Sequence, residues 1–223
     1  MVLCPILIYL VQALVFRSIL RIQIPHYSLF LLGGLLPWSF IVTSLQMGIP
    51  VFQDSRQLLL AFKIRPFILL ASSILDNWVN FLAAFIIVLI PTLFISSIAA
   101  SGLFLLPFAV ISLLAGVAGI LALLAVLNVF YRDVRFLSQF LVNLMFFLTP
   151  IFYPVSFIPS GYRWLVQINP FFLLIEPVRI CVYQFSLGAA LDSLAKSIGF
   201  GMAAMTLAGF FWKRRKNDFY HAI

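Results

Sequence analysis

The chain has 223 residues, of which 64% are hydrophobic and 9% charged, and its formal net charge is +8. About a quarter of the residues in soluble domains are charged, so this composition excludes an ordinary soluble domain. The Lys and Arg residues stand at the ends of long apolar runs, which favours a role in membrane topology over nucleic-acid binding. Runs of about 20 apolar residues fit helical spans and exclude a barrel of short alternating strands. We therefore predict an all-α polytopic membrane protein.

Six apolar runs are predicted to span the membrane, at about residues 1–19, 28–50, 78–98, 103–127, 136–154 and 194–212. The run over residues 67–98 is longer than one upright span requires, so its first third is predicted to lie at the interface or against other helices. Gly33, Gly34, Gly116 and Gly119 predict close helix contacts, because small residues let two helix backbones approach.

Pro150, Pro154 and Pro159 interrupt the end of the fifth predicted apolar run and the residues just after it. The chain that follows, from Ile158 to Asp192, is too broken for a simple loop and too apolar for a soluble one, and Asn169 followed by Pro170 is a typical helix start. Backbone that leaves a helix inside lipid must be buried in protein or line a wet cavity. We predict a short re-entrant helix from Pro170 that belongs to a pore or gate.

The predicted spans divide the basic residues unequally between the two sides of the membrane. One side receives nine of them: Arg56, Lys63, Arg65, Arg132, Arg135, Lys213, Arg214, Arg215 and Lys216. The other side receives five: Arg17, Arg21, Arg163, Arg179 and Lys196. The positive-inside rule then places the first side, with both termini, in the cytoplasm.

Motifs for catalysis or cofactor binding are missing from the sequence. It has no G-x-x-x-x-G-K-[ST] motif for ATP phosphates, no metal-ligand spacing and no nucleophile with a base, so we predict neither an enzyme nor a bound cofactor or metal. Asp76 is the one acidic candidate at membrane depth, which an ion-coupled transporter would need. Asn77 and Asn80 beside it favour an interfacial or interhelical hydrogen-bond role instead.

Four motifs occur in an order that resembles a known family. GGLLPWSFI begins at Gly33, N-x-x-x-R-D-V at Asn128, T-P-I-x-Y-P at Thr149 and N-P-x-x-x-x-x-E-P-x-R at Asn169. Over about residues 28–212 this order resembles the membrane subunit of ABC-2 type exporters. It is most similar to the branch that exports O-antigen, capsule and teichoic-acid-type polysaccharides.

The resemblance implies a single transmembrane domain over residues 1–223, acting as the permease subunit of an ATP-driven exporter in the bacterial inner membrane. The implied substrate is a lipid-linked polysaccharide. The implied partners are a second copy of the chain and two ATP-binding cassette subunits, which would bind ATP and Mg. Family members carry an interfacial helix before the first span, so we expect this chain to be a shortened form. A drug or lipid permease and an ion-coupled secondary transporter are the alternatives.

The resemblance also implies a coupling helix in the first cytoplasmic loop, residues 51–65. There Asp54 or Ser55 would cap a helix with an apolar face that includes Leu60. The predicted coupling residues are Asp54, Arg56, Leu58, Leu59, Phe62, Tyr131, Arg132 and Asp133. The alternative is that this loop and the turn that holds Tyr131, Arg132 and Asp133 are both solvated. They would then serve only to cap helices and to set the membrane topology.

The predicted outer gate or pathway residues are Phe152, Tyr153, Pro154, Asn169, Pro170, Glu176 and Arg179. Glu176 and Arg179, at positions i and i+3, are predicted to pair on one helix face, either bracing the gate or forming a weak interfacial salt bridge. Phe146, Phe147 and their aromatic neighbours could stack on sugar rings, with lipid-facing packing as the alternative. Trp38 is predicted to lie in an interfacial belt.

Overall fold

A computed structural model describes residues 3–15, 25–62, 65–95 and 100–219, and the regular structure within these ranges is helical. The α-helices are α1 (Leu3–Leu14), α2 (Tyr27–Gly48), α3 (Val51–Asp54), α4 (Arg56–Phe62), α5 (Pro66–Ile95), α6 (Ala100–Phe130), α7 (Asp133–Leu148), α8 (Arg163–Ile168), α9 (Pro170–Val182) and α10 (Leu187–Arg215). Two 3-10 turns, Val155–Phe157 and Ser160–Tyr162, lie between α7 and α8. The predicted all-α class is confirmed.

Among the described residues, four helices, α2, α5, α6 and α10, are long and apolar enough to cross a membrane. A fifth span is reached if the bent pair Ser160–Ile168 and Pro170–Val182 is counted as one. The predicted number of six spans is not confirmed, because α1 has 12 residues and α7 has 16, fewer than the roughly 20 that a bilayer requires.

The predicted fifth span, residues 136–154, has the wrong bounds. Helix α7 begins at Asp133 and ends at Leu148. Thr149 is extended, with φ −94° and ψ 123°, because the ring of Pro150 disfavours helical geometry at the residue before it. The chain from Thr149 onward is therefore free to turn back across the end of the bundle.

Helix α2 lies in the middle of the bundle and packs against α5 on one side and α9 on another. Helix α6 packs along α10 and also contacts α9. The predicted close contacts at glycine are confirmed: a Cβ built on Gly33 would lie 2.7 Å from the Cα of Arg179, and one on Gly119 would lie 2.9 Å from the Cβ of Ala204. The short helix α9 is thus held directly between α2 and α6.

The bundle has two ends that differ in structure. What we call the loop end contains α3, α4, the turn between α6 and α7, and the last turn of α10 with the residues that follow it. What we call the break end contains the broken segment from Thr149 to Asn169 and the start of α2. Hydrogen bonds and ring contacts join α3 to α6 and α10 at the loop end, and join the broken segment to α2 and α9 at the break end.

Candidate functional site

The first loop is fastened to the end of α10 by aromatic rings. Phe52 in α3 is fully buried, and its ring meets that of Phe219 edge to face at 5.3 Å. Phe219, also fully buried, meets Trp212 of α10 at 4.9 Å, and Trp212 meets Phe67 at the start of α5 at 4.7 Å. Any force on α3 therefore reaches α10 and α5 through packed side chains.

A pair of side-chain amides fastens the same loop to α6. Gln53 donates from Nε2 to the carbonyl of Asn128 over 2.9 Å, and Asn128 donates from Nδ2 to the carbonyl of Ile49 over 3.3 Å. Asn128 is fully buried, so it joins the end of α2 to the end of α6 rather than facing solvent. Gln53 and Phe219 were not among the predicted site residues, since no local sequence signal marks either.

Helix α4 presents an apolar surface at the loop end. Leu58, Leu60 and Phe62 are exposed, by 40%, 49% and 71%, whereas Leu59 is fully buried. The predicted apolar face is therefore divided, and Leu59 belongs to the core because it lies on the side of α4 that faces the bundle. The exposed trio stands beside Asp54 and Arg56, which are also exposed.

The expected cap of α4 by a side chain at Asp54 or Ser55 does not form within the described part of the chain. Asp54 ends α3, and Ser55 is the joint between the two short helices. The backbone carbonyl of Ser55 accepts a hydrogen bond from the N–H of Leu59 at 3.0 Å.

The turn between α6 and α7 is exposed at the same end. Tyr131 is 58% exposed, and Arg132 and Asp133 are exposed beside it. Within residues 3–15, 25–62, 65–95 and 100–219, no side-chain hydrogen bond or ion pair engages Arg132 or Asp133. Their side chains are accordingly accessible to another molecule.

At the break end, Arg179 is a buried cation. Its side chain is 7% exposed and lies over the ring of Phe30, with the guanidinium carbon 4.6 Å from the ring centroid. Nη1 donates to the carbonyl of Pro150 at 2.7 Å, while Nε and Nη2 find no partner among the described residues. Arg179 thus joins α9 to the residue just beyond the end of α7.

The predicted ion pair between Glu176 and Arg179 is wrong. The two ion pairs in the described ranges are Asp192 with Lys196 and Arg215 with Asp218. Gly34 leaves room on α2 for the guanidinium, since a Cβ there would lie 2.5 Å from Nη2 of Arg179. Arg179 therefore points toward α2 and forms no ion pair with Glu176.

Glu176 lies instead in a cleft of about 430 Å³ between α8, α9 and α10. Its carboxylate is half-buried there, and the polar groups around the cleft include those of Gln167, Asp192, Ser193 and Lys196. Asp192 and Lys196 pair with each other across one turn of α10 and are well exposed.

The predicted helix start at Asn169 and Pro170 is confirmed. Oδ1 of Asn169 accepts hydrogen bonds from the backbone N–H groups of Phe171 and Phe172, at 3.0 and 3.4 Å, and Pro170 occupies the first turn. Nδ2 of Asn169 donates to Oγ1 of Thr149 at 2.8 Å. One buried side chain therefore starts α9, after a 94° bend, and ties it to the end of α7.

The aromatic side chains of the break end form a connected cluster. Phe146 meets Phe152 at 5.5 Å and Trp38 at 5.7 Å between ring centroids. Trp38 is 5% exposed, so its predicted place in an interfacial belt is wrong, because α2 is the buried centre of the bundle. Phe152, Tyr153 and Pro154 are half-buried, and Tyr27 donates from its hydroxyl to the carbonyl of Phe152 at 3.3 Å.

Asp76 is on the exposed face of α5, apart from both ends. Asn77 and Asn80 donate from their side-chain amides to the carbonyls of Ser73 and Asp76 on the same helix, at 3.0 and 2.8 Å. Cys181 is buried as a free thiol, while the side chain of Cys4 lies outside the described part of the structure.

Long apolar helices, a helix pair bent by 94° and two short helices at one end define a multi-pass α-helical membrane protein. The chain belongs to the ABC-2 type transporter family, whose model matches residues 1–183. The resemblance drawn from the four motifs is thereby confirmed.

Within that family, the chain is similar to two curated O-antigen export permeases. The chain is 28% identical over 208 residues to the O-antigen export system permease protein RfbA of Klebsiella pneumoniae, covering 92% of this chain and 80% of that protein. It is 27% identical over 221 residues to the protein of the same name from Myxococcus xanthus, covering 98% of this chain and 85% of that protein.

Proposed function

We propose that the chain is the permease subunit of an ATP-driven exporter that moves a lipid-linked polysaccharide across the bacterial inner membrane. The named function of the relatives, together with their match over most of both chains, supports this cargo. The chain would act as one transmembrane domain, together with a second copy of itself and two ATP-binding cassette subunits.

The observation that carries the proposal is the anchored apolar surface of α4. Exposed Leu58, Leu60 and Phe62 stand beside polar residues, a pattern typical of a protein contact. The helix is held by buried Leu59 and, through α3, by Phe52 and Gln53. A partner that pushed on this surface would move the ends of α6 and α10 together.

ATP and Mg would be bound by the cassette subunits, because this sequence has no phosphate-binding loop. Their docking site would comprise α4, the exposed Asp54 and Arg56, and the turn of Tyr131, Arg132 and Asp133. The free side chains of that turn lie at the same end as α4, which supports a shared contact surface.

The loop end would face the cytoplasm. It carries eight described basic residues: Arg56, Arg65, Arg132, Arg135, Lys213, Arg214, Arg215 and Lys216. Toward the break end lie Arg163, Arg179 and Lys196, while Lys63, Arg17 and Arg21 fall outside the described residues. This imbalance supports cytoplasmic placement of the loop end by the positive-inside rule.

The break end would form the outer gate. Phe152, Tyr153 and Pro154 belong to the segment that Arg179 holds, and Asn169 with Pro170 sets the start of α9 beside it. Opening would require this segment to leave α9, which breaks the bond from Arg179 to Pro150. Glu176, in the cleft beside α10, would face the mouth of the pathway.

The test is co-purification of the tagged chain with its cognate ATP-binding subunit in detergent. We expect Leu60→Asp and Phe62→Asp to abolish the complex while leaving the chain monodisperse, since both side chains are exposed. Phe157→Asp, an equally exposed site at the break end, is the control and should keep the complex. Retention of the complex in both α4 variants would overturn the docking proposal.

The cargo is tested separately in cells that lack the chain. We expect lipid-linked glycan to accumulate on the inner face of the cytoplasmic membrane and to be exported again when the wild-type chain is supplied. Normal surface glycan in the deletion strain would exclude polysaccharide as the cargo.

A further inference from the structure

A second cleft, of about 440 Å³, lies at the loop end beside the last turn of α10. Its lining residues are Phe210, Phe211, Arg214, Arg215 and Asp218. The proposed export function gives none of them a contact, although Arg214 and Arg215 belong to the basic residues that orient the loop end. One part of the lining is apolar, and the other carries two guanidinium groups.

The arginines of this cleft are held in place by aromatic rings. The guanidinium carbon of Arg214 lies 5.6 Å from the centroid of Phe210, and that of Arg215 lies 5.5 Å from the centroid of Phe130. Arg215 also pairs with Asp218 at 3.8 Å, whereas Arg214 has no ion pair within the described ranges. Stacking on a ring leaves the N–H groups of a guanidinium available to an anion.

The position of the cleft along α10 matches the level of lipid headgroups. Helix α10 has 29 residues and is therefore about 43 Å long, close to the thickness of a bilayer with its headgroups. Its basic turn ends the helix at that depth. Phe210 and Phe211, exposed by 57% and 38%, lie one turn deeper, where acyl chains begin.

We propose that this cleft binds an anionic phospholipid, with Arg214 and Arg215 on the phosphate and Phe210 and Phe211 against the acyl chains. Guanidinium groups bind phosphate oxygens in a bidentate manner, which favours a phosphate ligand. The apolar part of the lining selects a lipid over free phosphate. Basic clusters next to a membrane span are a general mode of anionic-lipid recognition.

The chain offers a matched control for the charge. Lys213 and Lys216 belong to the same basic run but do not line the cleft. Arg214→Gln with Arg215→Gln, and Lys213→Gln with Lys216→Gln, therefore remove the same charge from the same turn. A diffuse electrostatic attraction would be weakened equally by both changes, whereas a defined site would not.

The experiment measures lipid binding to the purified full chain in non-ionic detergent at 0.15 M salt by native mass spectrometry. Charges more than about 8 Å apart are largely screened under these conditions. We expect phosphatidylglycerol to bind in preference to phosphatidylcholine, and the double arginine variant to lower phosphatidylglycerol affinity about ten-fold or more. The double lysine variant should change it less than about three-fold.

Three results would overturn the proposal: equal loss in the two double variants, equal binding of the two lipids, or displacement of the lipid by millimolar inorganic phosphate. The single variant Arg214→Gln guards against misfolding, because this exposed side chain contacts Phe210 and has no ion pair among the described residues. A monodisperse Arg214→Gln chain that binds phosphatidylglycerol like the wild type would also overturn it.

Discussion

Arg179 donates a hydrogen bond from Nη1 to the carbonyl of Pro150 over 2.7 Å, and this bond joins the last turn of α9 to the second residue after the end of α7. A hydrogen bond from a charged donor contributes about 1.5–3 kcal/mol. Burying a cation without an ion pair costs several kcal/mol, which offsets that gain. Arg179 therefore holds residues 149–152 in position and adds little to the free energy of unfolding.

Replacing Arg179 separates these two effects. In Arg179→Met we expect thermal stability within about 1 kcal/mol of the wild type, because the lost bond and the removed buried charge offset each other. Amide hydrogen exchange over residues 149–153 should become at least about five-fold faster. Arg163→Met is the control, since Arg163 donates to the carbonyl of Ile158 from an exposed position and should leave that exchange unchanged. Unchanged exchange in Arg179→Met would contradict this account.

Gly34 provides the space that Arg179 occupies. A Cβ at Gly34 would lie 2.5 Å from Nη2 of Arg179 and 3.2 Å from the carbonyl oxygen of Ile151. We expect Gly34→Ala to destabilise the protein by about 1–2 kcal/mol, because overpacking exceeds the gain of about 1 kcal/mol from placing Ala in a helix. Gly209→Ala should raise the unfolding temperature, because a Cβ at Gly209 would meet no described atom outside its own stretch of helix within 4 Å. Equal effects of the two changes on thermal unfolding would refute the steric argument.

The bond between Asn169 and Thr149 can be measured by a double-mutant cycle. Asn169→Ala removes both the cap of α9 and the donor to Thr149, so it should cost about 2 kcal/mol or more of unfolding free energy. Thr149→Val removes this acceptor and also the hydrogen bond that Oγ1 donates to the carbonyl of Met145 at 2.7 Å, a loss that the cycle subtracts. The double variant should show a coupling energy of about 1 kcal/mol in denaturant titrations. Additive effects of the two changes would mean that the bond contributes nothing.

Phe219 should transmit the motion of α3 and α4 to the end of α10. Phe219→Ala removes a buried ring between Phe52 and Trp212, and large-to-small core changes cost about 3–5 kcal/mol when fully buried. Since Phe219 lies beyond the end of α10, we expect loss of transport-coupled ATPase stimulation with the complex still assembled. Phe94→Ala, an exposed control on α5, should leave stimulation intact. Normal stimulation in the complex with Phe219→Ala would exclude this role.

Several features of the break end could be predicted because they depend on neighbours in sequence. Asn169 before Pro170 marks a helix start through local hydrogen bonding and a restricted φ, and the structure has that start. Pro150 likewise ends α7, which stops at Leu148. The predicted span, residues 136–154, ran six residues too far, because the apolar sequence continues past the break while the helical geometry does not.

Partners that are distant in sequence could not be predicted in the same way. The spacing of Glu176 and Arg179 permits a pair on one helix face, but the choice between Glu176 and the carbonyl of Pro150 depends on the room left by Gly34 on another helix. The leucines of α4 could not be assigned from the sequence either. Leu59 is buried while Leu58 and Leu60 are exposed, and this difference depends on which side of α4 packs against the bundle.

The class of the protein, its apolar helices, the break near Pro150 and the order of motifs that marks the family could all be read from the amino-acid sequence. These follow from hydrophobic composition and local backbone restrictions, which act over a few residues. The contacts between distant segments came from the folded bundle: Arg179 holds the broken segment, Asn128 and Phe219 fasten α3, and Trp38 is in the core. Those outcomes depend on which helix faces meet, and side-chain packing between distant segments sets them.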